Sequence, residues 1–325
     1  MSNAGRPVFS VVMPVYNKVR HVEAAIRSVL EQSFSDFELI AVDDASTDGS
    51  GDVARAIDDE RIRHLRRDTP GPGGYAARNL GIAEATGHWV AFLDADDAWA
   101  HDHLEQMGAT AQRFPTATLL SCAWHRVTGD GRARLCQYAR EDGARGPHII
   151  TLRDYLEALR RNVPPVCTNT MAIRMDALTD RAVFPAALPG RRGGDTYAWL
   201  TLMSRHKQLA WSPHVGAIYR IDADNMVTKL EPNEAAFLTR ALMTPLEARM
   251  SPPERRLLRR ALNGKLWRSW VGNTVRGGGN YRLPPRLFWR GAWLQASGFA
   301  LASATPAPLV RWLQRRRARS WTEQA

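Results

Sequence analysis

Residues 88–97, HWVAFLDADD, end in three carboxylates within four positions: Asp94, Asp96 and Asp97. Carboxylates this close repel one another unless a cation or hydrogen-bond donors share their charge. Hard oxygen ligands suit Mg2+ or Mn2+, ions that keep water ligands and take further oxygens from phosphate. Asp43 and Asp44 form a second acidic pair, and Asp195 stands in the segment RGGDTYAWLTL at 192–202. A carboxylate at a helix start is kept ionised by the terminal N–H groups and can serve as a general base. Each of these residues also has a plainer reading as a helix cap or solvated turn, because Asp is a favoured cap.

The elements that must position them follow from the apolar pattern. Val90, Ala91, Phe92 and Leu93 form a continuous apolar run, which predicts a strand buried on both faces of a mainly parallel sheet. Asp94, Asp96 and Asp97 then lie at its carboxyl end, where open α/β sheets bind ligands. Residues 9–15 (FSVVMPV) predict a first strand, 37–42 (FELIAV) a second ending in Asp43-Asp44, and 62–65 a weak third. Val22, Ala25, Ile26, Val29 and Leu30 recur at helical spacing between the first two, and 76–85 reads as a helix closed by Gly87. Strands alternating with helices predict parallel crossovers. Beyond Asp97, helices are expected at 104–114, 152–159 and 195–205, a strand at 118–127, and one or two short strands at 209–221. Residues 70–74 (PGPGG) read as a loop, and the polar, Gly-rich stretch 129–147 as a mobile loop.

The chain has 325 residues and a net charge of +11, unevenly distributed. From Arg249 onward there are sixteen Lys/Arg against two Asp/Glu, so the basicity belongs to the C-terminal part. No run of eighteen apolar residues predicts a transmembrane helix, and the N-terminus lacks the pattern of a secretion signal. Cys122, Cys136 and Cys167 share no metal-ligand spacing, and a reduced cytoplasmic protein is expected. His101 and His103 stand two residues apart, but no third ligand supports a metal site, so both are expected at the surface.

VVMPVYN (11–17), VDDASTDGS (42–50), AARNLGIAEATG (76–87) and FLDADDAW (92–99) resemble, in order and spacing, the family 2 glycosyltransferases of GT-A fold. RGGDTYAWLTL is similar to that family's later G-E-D block, with Gly194 in place of the usual Glu. The resemblance extends over about residues 9–227. It implies a Rossmann-like mixed, mainly parallel sheet flanked by helices in a GT-A domain at 1–230, followed by a basic, mainly helical region at 231–325. It also implies an inverting enzyme that uses a nucleotide diphosphate sugar, UDP-linked, with Mg2+ or Mn2+. The acceptor would be a hydroxyl of a glycan or a lipid-linked molecule in bacterial cell-surface polysaccharide synthesis. By the same resemblance Asp96 ligates the metal, and Asp94 meets the ribose or the metal's water. Asp44 contacts the base framed by Pro14 and Tyr16, Arg78 lies near the nucleotide, and Asp195 is the catalytic base. Asp222 stands where the family often has a metal-proximal His.

Two further readings remain open at this point. A sugar nucleotidyltransferase shares the sheet and paired Asp, but needs a basic Gly-rich loop where this chain has Tyr16-Asn17-Lys18. A non-catalytic nucleotide-sugar-binding module at a membrane is the other. Six of eleven tryptophans fall between Trp267 and Trp321, interleaved with Arg in RLFWRGAW (286–293) and LVRWLQRRRAR (309–319). Basic helices with aromatic faces can lie on anionic membranes. Packing on the catalytic domain is the alternative, and nucleic acid is disfavoured.

Overall fold

The computed structural model describes residues 5–187, 192–221, 240–275, 287–290 and 292–303. In chain order the first half contains β1 (Phe9–Val15), α1 (Val22–Leu30), β2 (Phe37–Asp43), α2 (Ser50–Arg55), β3 (Ile62–Arg66), α3 (Tyr75–Glu84) and β4 (Trp89–Phe92). Then follow β5 (Ala98–Trp99), α4 (His103–Arg113), β6 (Leu119–Val127), β7 (Ala133–Leu135), α5 (Gln137–Asp142), β8 (His148–Thr151) and α6 (Leu152–Arg161). The chain continues with β9 (Ala172–Arg174), α7 (Gly194–His206) and β10 (Gln208–Arg220). The C-terminal helices are α8 (Arg240–Ala248), α9 (Pro252–Val275) and α10 (Trp293–Ser303).

The ten strands form one sheet in the order β3-β2-β1-β4-β9-β6-β10-β5, with β7 beside β6 and β8 beside β10. Strands β1 to β4 run parallel to one another, whereas β9 is antiparallel to both of its neighbours, β4 and β6. This is the mixed, mainly parallel GT-A sheet expected. All seven residues of β1 and all four of β4 are buried, because helices cover both faces. On one face α3 approaches β1 closely: a Cβ on Gly81 would come 2.4 Å from Val12 Cγ1, so no larger residue fits there.

The expected mobile loop at 129–147 instead contains β7 and α5. Cys136 and Tyr138 are buried, and the Tyr138 ring meets Trp211 edge-on at 4.9 Å. Those few apolar side chains suffice to fold an otherwise polar stretch onto β10. Residues 208–220 form one long strand rather than short ones, with register shifts between Ser212 and Ala217. His103 is not at the surface: it is buried, stacked on Trp99 at 4.3 Å, with Cys122 Sγ 3.8 Å from Nδ1. Its position as the first residue of amphipathic α4 turns it towards the sheet. His101 is exposed as expected.

Helices α8 and α9 are joined to the core of the sheet. Met243, Leu246, Met250, Leu258 and Leu262 belong to the same buried cluster as β1 and β4, and α9 packs along α6. Glu247 of α8 accepts from Arg259 Nε of α9 at 2.8 Å. No helix among the described residues is long and apolar enough to cross a membrane. The basic stretch 309–319 lies outside the described residues.

Candidate active site

Because β1, β2 and β4 are parallel, their carboxyl ends share one edge, and the acidic residues collect there. The Asp44 N–H donates to Val15 O at 2.8 Å, continuing the β1–β2 ladder to the edge itself. Asp43 organises the turn that follows: it accepts from Ser46 N at 2.9 Å and from Arg66 Nη1 at 3.2 Å. Asp43 is therefore a structural group, and the chemistry of the pair falls to Asp44.

Asp44 is 1 % exposed. Its Oδ1 is paired with the Arg67 guanidinium, and its Oδ2 accepts from Gly71 N at 3.1 Å. A carboxylate offers about four lone-pair positions, so these partners orient Asp44 while leaving acceptor capacity for a ligand. Pro14 is buried beside it, close enough to residue 74 that a Cβ on Gly74 would lie 3.4 Å from Pro14 Cβ. Tyr16 follows as a half-buried residue just past the strand end. The glycine-rich loop is thus tied at both ends, to Asp44 through Gly71 and to Arg78, whose Nη1 donates to Gly73 O at 2.9 Å.

Arg78 is 5 % exposed and forms an ion pair with Asp94, with its guanidinium 5.4 Å above the Phe184 ring. Burial alone would favour its neutral form, but Asp94 and Asp195 outweigh this and hold it firmly protonated. Asp96 points the other way and pairs with Lys18, Nζ to Oδ2 2.7 Å. Asp97 is 1 % exposed and accepts from Asn169 Nδ2 at 2.9 Å and from Arg220 N at 2.8 Å. Burial, reinforced by Asp96 and Asp94, pushes the Asp97 carboxyl well above the usual carboxylate range. Asp97 thus anchors the end of β10 to the acidic turn. The adjacent Trp99 is a core residue whose Nε1 donates to Asn169 O at 2.7 Å.

Asp195 lies in the first turn of α7. Tyr75, the first residue of α3, fixes that turn: its hydroxyl accepts from Gly194 N at 3.0 Å. A Cβ on Gly194 would come 2.4 Å from the Tyr75 ring, which explains why the Glu expected there is replaced. Asp195 is half-buried, and its Oδ1 is enclosed with no hydrogen-bond partner among the described residues. Burial raises the carboxyl above its ordinary value, Arg78 opposes this, and Asp94 adds to it. The free lone pairs of that oxygen and the raised proton affinity of the carboxyl would suit a general base.

The structure therefore draws Asp94, Arg78 and Asp195 into one electrostatic unit, with Asp96 and Asp44 on the same edge. Asp222 lies outside the described residues. Among the described residues no three His, Cys, Asp or Glu side chains converge as a metal cage. The donor set still fits Mg2+ or Mn2+ bound through one or two carboxylates with phosphate and water completing the shell. Lys18 supplies the positive charge now facing Asp96. Arg67 and Tyr75 had no place in the sequence reading, and Lys18 entered it only as part of Tyr16-Asn17-Lys18, with no role at the site. Lys18 and Arg67 follow the ends of β1 and β3, so strand order alone could have drawn attention to them.

Comparison with known proteins bears on the family and the fold. TuaG of Bacillus subtilis, a glycosyltransferase named for teichuronic acid biosynthesis, is 43% identical over 103 residues, 31% of this chain and 40% of that protein. The Escherichia coli enzyme WfgD, a UDP-Glc:alpha-D-GlcNAc-diphosphoundecaprenol beta-1,3-glucosyltransferase, is 38% identical over 96 residues, 30% of this chain and 38% of its own. The matched stretches thus span about two fifths of these relatives' length. In fold, the chain superposes on S. aureus TarS 1-349 with a TM-score of 0.64 at 18% identity, covering 91% of this chain and 81% of that one. The family model for Glycosyl transferase family 2 matches residues 10–181, more than half of the sequence. The chain belongs to glycosyltransferase family 2.

Proposed function

We propose that this glycosyltransferase transfers a sugar, with inversion at C1, from a UDP-linked donor to a hydroxyl of a glycan or lipid-linked acceptor in cell-surface polysaccharide synthesis. The observation that carries the reading is Asp195: a carboxylate with an orphaned buried oxygen, electrostatically joined through Arg78 to the acidic strand end. In one displacement, Asp195 takes the proton of the acceptor hydroxyl as that oxygen bonds to C1. The bond from C1 to the diphosphate breaks, and the nucleotide diphosphate leaves with the electron pair. Asp44, Pro14 and Tyr16 hold the base, and Arg78 steadies Asp94 against the ribose or the water shell of a cation. Asp96 is the residue that would hold Mg2+ or Mn2+, whose chemistry when bound is to neutralise charge on the departing diphosphate. Asp222 would be a further ligand.

The UDP preference and the lipid-linked acceptor class are supported by the E. coli relative, whose name carries both. A peripheral position on an anionic membrane is part of the same proposal. Trp289, Trp293 and Leu294 are exposed by 49%, 63% and 70% next to the exposed Arg290, so this corner offers apolar anchors beside positive charge. Sedimentation with anionic but not neutral vesicles tests that placement.

The function is tested by thermal denaturation against nucleotide diphosphate sugars with and without Mn2+, followed by nucleotide release from whichever donor stabilises the protein. Stabilisation by a UDP-sugar with Mn2+ and release of UDP are expected. Stabilisation without turnover for any donor would favour a binding module instead.

A further inference from the structure

Helix α9 lies beyond the segment that the family model matches, yet it reaches the first turn of α7. Lys265 Nζ donates to Thr196 Oγ1 at 3.0 Å, one residue from Asp195. Lys265 and Asp195 each feel the other's charge. The helix that carries Lys265 is fixed in place: Leu258 and Leu262 are core residues, and Asn263 exchanges hydrogen bonds with the Phe288 backbone, at 2.8 and 3.0 Å. Lys265 is therefore presented to α7 by a packed element.

The charges facing Asp195 come from three directions. Arg78 and Tyr75 approach from α3, Asp94 from the end of β4, and Lys265 from α9. Arg78 is already shared with Asp94 through their ion pair. A second cation is needed if a carboxylate with an enclosed, unpartnered oxygen is to remain ionised beside Asp94. We propose that Lys265 is a positioning residue for Asp195, and that α9 is in this way a component of the active site rather than an appendage to it. The Thr196 hydroxyl holds the ammonium in register with the helix turn, and Arg192 and Arg268 flank it. Burial lowers the Lys265 ammonium to about 8, Asp195 works against this, and at neutral pH it stays charged.

The functional meaning of this pairing rests on Asp195 being the base, but the pairing itself is measurable without turnover. The experiment is a thermal double-mutant cycle on the full chain: wild type, K265M, D195N and the double variant, at pH 7 and pH 5. K265M is expected to lower Tm clearly in the wild-type background and by less than half as much beside D195N. The loss should also be smaller at the lower pH, because burial makes the Asp195 carboxyl take up its proton earlier on acidification than an ordinary carboxylate and so need the ammonium less, and K265R should restore most of it. Equal losses in both backgrounds and at both pH values would overturn the proposal and leave Lys265 a packing residue. Should K265M fail to fold, K265Q and K265R take its place in the same cycle. Nucleotide release by D195N reads the base assignment separately, so the two readings fail independently.

Discussion

The Tyr75 hydroxyl accepts a hydrogen bond from the Gly194 N–H at 3.0 Å across 119 residues of sequence, and its ring fills the space a side chain at 194 would need. The N-terminal turn of α7, and Asp195 with it, is thereby registered against α3, which also carries Arg78. Gly194→Ala should therefore cost about 1–3 kcal/mol by overpacking a site with no free volume. Tyr75→Phe should cost about 1–3 kcal/mol by leaving a buried N–H without an acceptor. Urea denaturation measures both, and turnover should fall further than stability in each, because Asp195 moves.

Asp96 and Lys18 stand 2.7 Å apart, so the ammonium competes for the carboxylate that would take a cation. Lys18→Met should raise the affinity for Mn2+ in the donor-free protein, and Asp96→Asn should abolish the Mn2+-dependent part of donor binding. Isothermal titration with Mn2+ alone, and then with donor, reads both. An unchanged Mn2+ affinity in Lys18→Met would separate Asp96 from the metal.

Asp44 is 1 % exposed and depends on Arg67 for its ion pair. Arg67→Ala strands a buried carboxylate and should cost about 3 kcal/mol. It should also free the loop at 70–74, which Asp44 holds through Gly71. Hydrogen exchange of that loop should speed up in Arg67→Ala, and donor affinity should fall with it.

How much of this was legible in the sequence depends on how far apart the partners lie. The apolar runs of β1, β2 and β4 and the acidic ends of β2 and β4 are local signals, and they sit where the pattern placed them. Tyr75, Lys18, Arg67 and Lys265 act through partners dozens of residues away, and no periodicity encodes such a pairing. The departure at Gly194 was visible, but its cause, the Tyr75 ring, was not. The folded stretch at 133–142 was hidden because only a few of its side chains, Cys136 and Tyr138 among them, face the core. His103 was misjudged as a surface residue because the lack of a third ligand argued only against a metal site and said nothing about burial in the core, where α4 places it.

His103 supplies a pH prediction. Burial lowers its pKa from 6.5 to about 3, with His214 acting in the same direction. Trp99 and Cys122 pack against it and offer no stabilising charge. The unfolded chain therefore takes up the proton first as pH falls, so stability is lost from about pH 6.5 downward until about pH 3. The full effect is on the order of 5 kcal/mol. His103→Met should flatten that acid limb, and denaturation midpoints between pH 4 and pH 7 would show it.

The most direct test of the central claim is nucleotide release by Asp195→Asn with the donor that stabilises the wild-type protein. Asparagine keeps the shape of the first turn of α7 but cannot take the acceptor's proton. Turnover should fall by about 10²-fold or more, the scale of general-base catalysis, while donor affinity stays within a few-fold of wild type. Wild-type turnover in Asp195→Asn would contradict the assignment of the base.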